Sequence, residues 1–133
     1  DVDAVDLSPI GLKKVRGLAR EQEVAVHTIL ADIDHYRIEK ERYDLVAVFY
    51  FLHRRCISKI KKGLKKGGRV IFETYIIDQR DLGTGGPKSL KYFLRQNELL
   101  RLFKDFRILI YREGLFREGG RQKAIASLIA EKP

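Results

Sequence analysis

Residues 45–52 read LVAVFYFL, eight apolar side chains in succession. A run without alternation must be covered on both faces, so it is expected to be a central strand of a parallel sheet flanked by helices. Its surroundings fit. VDAVD at 2–6 reads as a strand, and Ser8-Pro9 as a helix N-cap followed by proline at the first helical position. Ile10, Val15, Leu18 and Ala19 then form the expected apolar stripe of a helix ending near Arg20. Residues 25–30 are a second short strand, followed by Ala31-Asp32-Ile33. Beyond the apolar run, residues 54–66 suit a helix with Ile57, Ile60 and Leu64 inward, stopped by Gly67-Gly68. RVIFETYII at 69–77 is the next strand, and residues 78–88 are a loop. Asn97 is placed to cap a short helix over 98–104 that turns Leu99, Leu100, Leu102 and Phe103 inward. Residues 106–113 and 123–131 close the chain as an antiparallel hairpin around glycines. The class is α/β: a Rossmann-like sheet, mostly parallel with right-handed crossovers, with one antiparallel strand inserted in its edge region at the C-terminal end.

At 133 residues the expectation is a single domain, 1–133, able to bury roughly two-thirds of its unfolded surface. The chain contains no methionine and opens directly on the acid-tipped strand. In nucleotide-binding α/β domains a first strand and a glycine-rich loop precede such a strand, so the chain is expected to have lost its own beginning. No run approaches the ~18 apolar residues of a membrane span, which makes cytoplasmic the default and excludes a membrane partner. Cys56 is alone, ruling out an internal disulfide framework or cysteine zinc site and suggesting a buried, inert thiol.

Lys and Arg number 27 against 18 Asp and Glu, a net charge of +9. That balance would draw an acidic partner such as RNA. It equally suits a thermophile's charged surface, because one Asn, one Cys and no Met leave few thermolabile residues in a 34% charged chain. The second reading is preferred, since no compact basic motif with interleaved aromatics is present.

Ligands of open α/β sheets bind beyond the carboxyl ends of the strands, where this sequence places two acids. Asp6 can accept from both ribose hydroxyls of an adenosine. Asp32, one strand over, can accept from an adenine amino group while Ile33 offers its backbone N–H. The structural alternative is that Asp6 caps the following helix and Asp32 is a solvated turn acid. An acid at the end of the second strand does not by itself separate NAD from S-adenosylmethionine. The stretch Gly83-Thr84-Gly85-Gly86-Pro87-Lys88-Ser89 fails as a phosphate loop, because Pro87 cannot donate the N–H required before the lysine. It reads instead as a mobile loop over the strand ends, part of an acceptor site. His27, His35 and His53 lack ligand-like spacing, so no metal is expected.

Several motifs in order carry a family resemblance: VDAVDLSP at 2–9, Ala31-Asp32-Ile33, YDLV at 43–46 leading to FYFLH at 49–53, and LKKGGRVIFE at 64–73. With Gly86-Pro87-Lys88 and Asn97-Glu98-Leu99-Leu100, the chain resembles the class I S-adenosylmethionine-dependent methyltransferases, nearest the small tellurite-resistance and thiopurine-type branch. That family's first strand and glycine loop have no counterpart here. The resemblance implies a methyltransferase sheet and S-adenosylmethionine as cofactor, leaving as S-adenosylhomocysteine. It also implies that Asp6 holds the ribose, Leu7 packs on adenine, and Asp32 with Ile33 reads the adenine edge. Phe49, Tyr50, Phe51 and His53 fall where the family places residues near the methyl and its acceptor. Aromatic faces there attract a sulfonium and exclude water, and His53 could accept a proton. The plainer alternative makes the phenylalanines core and His53 solvated. A small-molecule acceptor is expected, with RNA also open. The rivals are a non-catalytic remnant binding adenosine compounds or RNA through a basic face, and a nicotinamide oxidoreductase. Without the family's first strand, the strands ending at Asp6 and near Leu52 are expected either to pair directly or to have the gap between them filled by a partner chain, as in a homodimer, or by an upstream segment.

Overall fold

The computed structural model describes residues 1–133, which divide into two compact units, 1–37 and 38–133. The first is one β-α-β element: β1 (Val2–Asp6), α1 (Pro9–Glu21) and β2 (Val26–Leu30). β1 and β2 pair in parallel, Val2 opposite Val26 through Asp6 opposite Leu30. Ser8 caps α1 as expected, its Oγ accepting from Gly11 N at 3.0 Å, with Pro9 at the first position. The buried stripe differs from expectation. Leu12 and Ala19 are buried and Val15 is half-buried, spaced i, i+3 and i+7, whereas Ile10 and Leu18 are exposed. At about 100° per residue Ile10 lies nearly opposite Leu12, so it cannot share that face.

The second unit holds β3 (Tyr43–Phe49), α2 (Cys56–Gly63), β4 (Leu64–Tyr75), α3 (Glu98–Leu102), β5 (Arg107–Glu118) and β6 (Arg121–Glu131). The sheet order is β3-β4-β6-β5, with β3 parallel to β4 and β6 antiparallel to both its neighbours. The inserted antiparallel strand is therefore β6. Glu118 pairs with Arg121 across Gly119 and Gly120, both at positive φ, a two-residue turn whose twist matches the hairpin.

Two expectations are corrected. The apolar run 45–52 is not a central, doubly covered strand: β3 ends at Phe49 and is the end strand of its four-stranded sheet, with Leu45 and Phe49 51% and 56% exposed. In addition, α2 stops at Gly63 rather than at the glycine pair. Leu64 opposes Tyr43 and Arg69 opposes Leu45, and the extra residues between them bulge outward. Gly68 makes the bulge possible, because a Cβ there would lie 2.8 Å from Lys65 O and 3.2 Å from Tyr43 O.

The core of this unit lies on one face of β4 and β6. Val70, Phe72 and Thr74 are buried opposite Ala130, Leu128 and Ala126. Phe103 meets Phe72 at 6.1 Å and Phe106 edge-on at 5.5 Å between ring centroids. Burial of a phenylalanine stabilises by about 1.5–3 kcal/mol, and Ala126 and Ala130 of β6, flanking Leu128, leave room for these rings. Asn97 starts α3 by its left-handed backbone, φ 56°, without a side-chain cap; Glu98 instead reaches back to Arg95 N at 2.8 Å.

No helix in the structure is long and apolar enough to cross a membrane. Cys56 is buried, as expected.

Candidate functional site

The expected site residues fall in both units: Asp6, Leu7, Asp32 and Ile33 in the first, Phe49, Tyr50, Phe51 and His53 in the second. In the first unit the β1–β2 ladder runs on past Leu30, Ala31 N donating to Asp6 O at 3.1 Å, so both acids lie at the same end of the sheet. Asp6 Oδ1 accepts from Ser8 N at 2.8 Å, and Asp32 Oδ1 accepts from Asp34 N at 2.9 Å. Asp32 Oδ2 is 3.6 Å from His35 Nδ1. Each carboxylate thus steadies its own turn, Asp6 bracing Ser8, which is itself the cap of α1, and both acids are exposed and retain acceptor capacity.

A carboxylate that is to accept from a ribose needs an uncovered oxygen. Gly11 supplies the opening: a Cβ at that position would stand 3.2 Å from Asp6 Oδ2. Leu7, 68% exposed, is available to pack on a flat ring, and Ile33 is half-buried. This donor and acceptor set fits the adenosine part of a cofactor.

In the second unit, Phe49 and Phe51 are 56% and 45% exposed. Phe51 stacks on His53 with centroids 6.4 Å apart and planes at 14°. His53 Nδ1 lies 3.5 Å from Cys56 Sγ, and Cys56 N donates to His53 O at 2.9 Å, so the imidazole is half-buried at the start of α2 instead of fully solvated.

Tyr50 has the left-handed backbone at φ 51°, uncommon for a bulky side chain and costing of order 1–3 kcal/mol. Glu73 on β4 holds it at both ends: Glu73 O accepts from Tyr50 N at 2.8 Å, and Glu73 Oε1 from the Tyr50 hydroxyl at 3.2 Å. The ring rests against Tyr75 at 5.0 Å. Lys123 of β6 donates to the same hydroxyl, while Ser127 and Arg112 donate to Glu73 Oε2. Burial raises the Tyr50 hydroxyl above the ordinary tyrosine range; the Lys123 hydrogen bond opposes this and the Glu73 charge adds to it. At neutral pH the group is a proton donor fixed in direction, not a base.

The glycine loop is tied down rather than loose. Gln79 is buried, its Nε2 donating to Gly85 O at 2.8 Å and Thr84 Oγ1 at 3.0 Å, and its Oε1 accepting from Ala124 N at 2.8 Å. Thr84 Oγ1 donates in turn to Gln122 O. Beyond the loop, Arg54 donates to both carboxylate oxygens of Glu98, at 2.6 and 3.0 Å, and to the carbonyls of Lys91 and Phe93 at 2.6 and 3.0 Å. One guanidinium thereby fixes the segment before α3 to the start of α2.

Sequence reasoning missed Glu73, Gln79, Lys123 and the Arg54–Glu98 pair. A signal existed for Glu73, a charge inside the otherwise apolar strand VIFETYII. Arg54 and Glu98 are 44 residues apart with none.

A family model described as "Tellurite resistance protein TehB" matches residues 1–122. Among solved structures, TehB from Haemophilus influenzae is 21% identical with a TM-score of 0.79, covering all of this chain and 50% of that one. A S-adenosylmethionine-dependent methyltransferase from Methanosarcina mazei is 15% identical with a TM-score of 0.74, covering 98% of this chain and 81% of that one. The cyclase SpnF, 15% identical with a TM-score of 0.74, covers all of this chain and 66% of its own. The chain therefore spans about half the length of the Haemophilus protein. No curated protein sequence matches it significantly. At these identities the structures establish the fold, that of the class I methyltransferases with its closing antiparallel hairpin; the cyclase is a reminder that a fold does not fix a reaction.

Proposed function

The chain belongs to the TehB family, and from that membership we propose that it is a S-adenosylmethionine-dependent methyltransferase domain acting on a small-molecule acceptor. The family uses S-adenosylmethionine. The observation that carries the reading to this chain is the pair of exposed acids at one end of the β1–β2 sheet, with Gly11 keeping Asp6 Oδ2 uncovered.

When bound, the cofactor supplies a methyl group already activated on a sulfonium, so the protein has chiefly to orient and to exclude water. Asp6 accepts from the ribose hydroxyls and Leu7 packs on the adenine. Asp32 accepts from the adenine amino group and Ile33 presents its N–H. Phe49 and Phe51 give exposed aromatic faces suited to a cation and to a dry surface. Tyr50 spends its one hydroxyl proton on Glu73 and accepts from Lys123, which holds its ring in a fixed orientation beside the strip, and His53 takes a proton from an acceptor that has one to lose.

A small acceptor is favoured over RNA because the net charge of +9 is not gathered into a compact basic motif with interleaved aromatics, and several cations face acids of the chain. Lys61 bonds Asp105, Lys65 bonds Asp44 at 2.8 Å, Arg69 bonds Glu131 at 3.2 Å and Lys123 bonds Glu118 at 2.6 Å. The deciding experiment is calorimetric titration of the chain with S-adenosylmethionine, S-adenosylhomocysteine and NAD. Binding of the first two without NAD is expected. Binding of NAD alone would replace the reading with a nicotinamide enzyme.

A further inference from the structure

The second unit carries a groove of about 800 Å³ between Arg54 and α3. Ligand pockets commonly enclose about 300–1,000 Å³. Its apolar lining comes from Ile77, Leu90, Phe93 and Leu102. Its charge comes from cations: Lys91, Arg95 and Arg101 line it, and the Glu98 carboxylate beside them is already taken up by the fork of Arg54 and by Arg95 N. Arg54 in turn has its hydrogen bonds filled by Glu98 and two carbonyls. The Arg95 and Arg101 guanidiniums are held by no carboxylate, and the Lys91 ammonium lies over the exposed ring of Tyr92.

Unpaired guanidiniums around an apolar floor are complementary to a molecule with an apolar body and an anionic end. Guanidinium forks recognise carboxylate oxygens in pairs, and burying an apolar body against the floor supplies affinity that a bare inorganic anion cannot gain. We infer that this groove binds a small organic carboxylate with an apolar body. The groove starts at Arg54, directly after the Phe49–His53 strip, and the clamp from Arg54 to Glu98 keeps its two walls at a fixed spacing.

The test uses naphthalene-2-carboxylate, its neutral carboxamide and inorganic phosphate, titrated into the full chain and followed by two-dimensional amide NMR. The carboxylate should bind at least tenfold more tightly than the amide or phosphate, with the largest shifts at residues 90–102. Replacing both Arg95→Gln and Arg101→Gln should weaken the carboxylate about tenfold or more and leave the amide unchanged. Lys66→Gln, an exposed cation outside the groove, should change neither. Equal binding of carboxylate and amide, phosphate binding as tightly as the carboxylate, or shifts centred elsewhere would each overturn the proposal. A failure of S-adenosylhomocysteine to bind refutes the methyltransferase reading while leaving the carboxylate site standing. Loss of carboxylate binding with S-adenosylhomocysteine binding intact refutes the groove alone.

Discussion

The Lys123 ammonium stands 5.1 Å from the centroid of the Tyr50 ring and donates to its hydroxyl at 3.3 Å. It opposes the upward pull of burial and of Glu73 on that hydroxyl. Lys123→Gln should therefore raise the Tyr50 pKa further, because an attraction for the phenolate is lost. Glu73→Gln should lower it, because a neighbouring negative charge is removed. Titration of ring-labelled tyrosine by carbon NMR reads both signs. Shifts in the same direction would refute the pairing.

Arg54 and Glu98 set an acid limit to stability. Burial pulls the Glu98 carboxyl up, but the Arg54 hydrogen bonds, Arg95 N and the Arg54 charge together hold it below its ordinary value of 4.5. With a lowered native pKa the unfolded chain binds more protons in that range, so stability is full above about pH 4.5 and falls as pH drops through the native value. Glu98→Gln should flatten this acid slope in urea melts. Arg54→Lys, which cannot reproduce the fork, should cost about 2 kcal/mol at neutral pH.

Gly11 separates ligand affinity from folding. An alanine there gains up to about 1 kcal/mol in helix propensity, but its Cβ would lie 3.2 Å from Asp6 Oδ2. Gly11→Ala is expected to weaken S-adenosylhomocysteine binding measurably by calorimetry while the melting temperature holds or rises. Asp6→Ala should weaken it more, with a small stability loss from the freed Ser8 N–H. Unchanged affinity in both variants would remove Asp6 from the site.

Adjacent glycines should respond differently. Gly68→Ala drives a Cβ to 2.8 Å from a backbone carbonyl with two more near it, and should cost about 1–3 kcal/mol or more in urea unfolding. Gly67→Ala meets no atoms within 4 Å and carries only the penalty of its positive φ of 76°, about 1–2 kcal/mol.

β3 is expected to promote self-association, since it is an end strand with Leu45 and Phe49 exposed. Light scattering should show mass rising with concentration, and Leu45→Lys should reduce it. A concentration-independent monomer would argue against the homodimer.

Most elements were legible because their signals are local. Ser8-Pro9, the Gly119-Gly120 turn and the alternation Val70, Phe72, Thr74 are each written within a few residues. The acids Asp6 and Asp32 were legible for the same reason, each being set by its own strand end. What failed was the inference from apolarity to burial: 45–52 promises a covered strand, yet coverage depends on neighbours the run does not encode. The Tyr50 network and the groove were illegible because their members meet only after the sheet forms, Lys123 lying 73 residues from Tyr50.

The placement of β6 between β4 and β5 also dictates an order of events during synthesis. β1 and β2 meet across a single helix, so that pair can close as soon as Leu30 has emerged. The second sheet cannot. β4 waits for a neighbour whose Glu131 stands opposite Arg69, across 62 residues of chain, while β5 finds β6 locally through a two-residue turn. The hairpin should form first and dock as a preassembled pair, leaving β4 with one open edge until β6 has been made through Glu131.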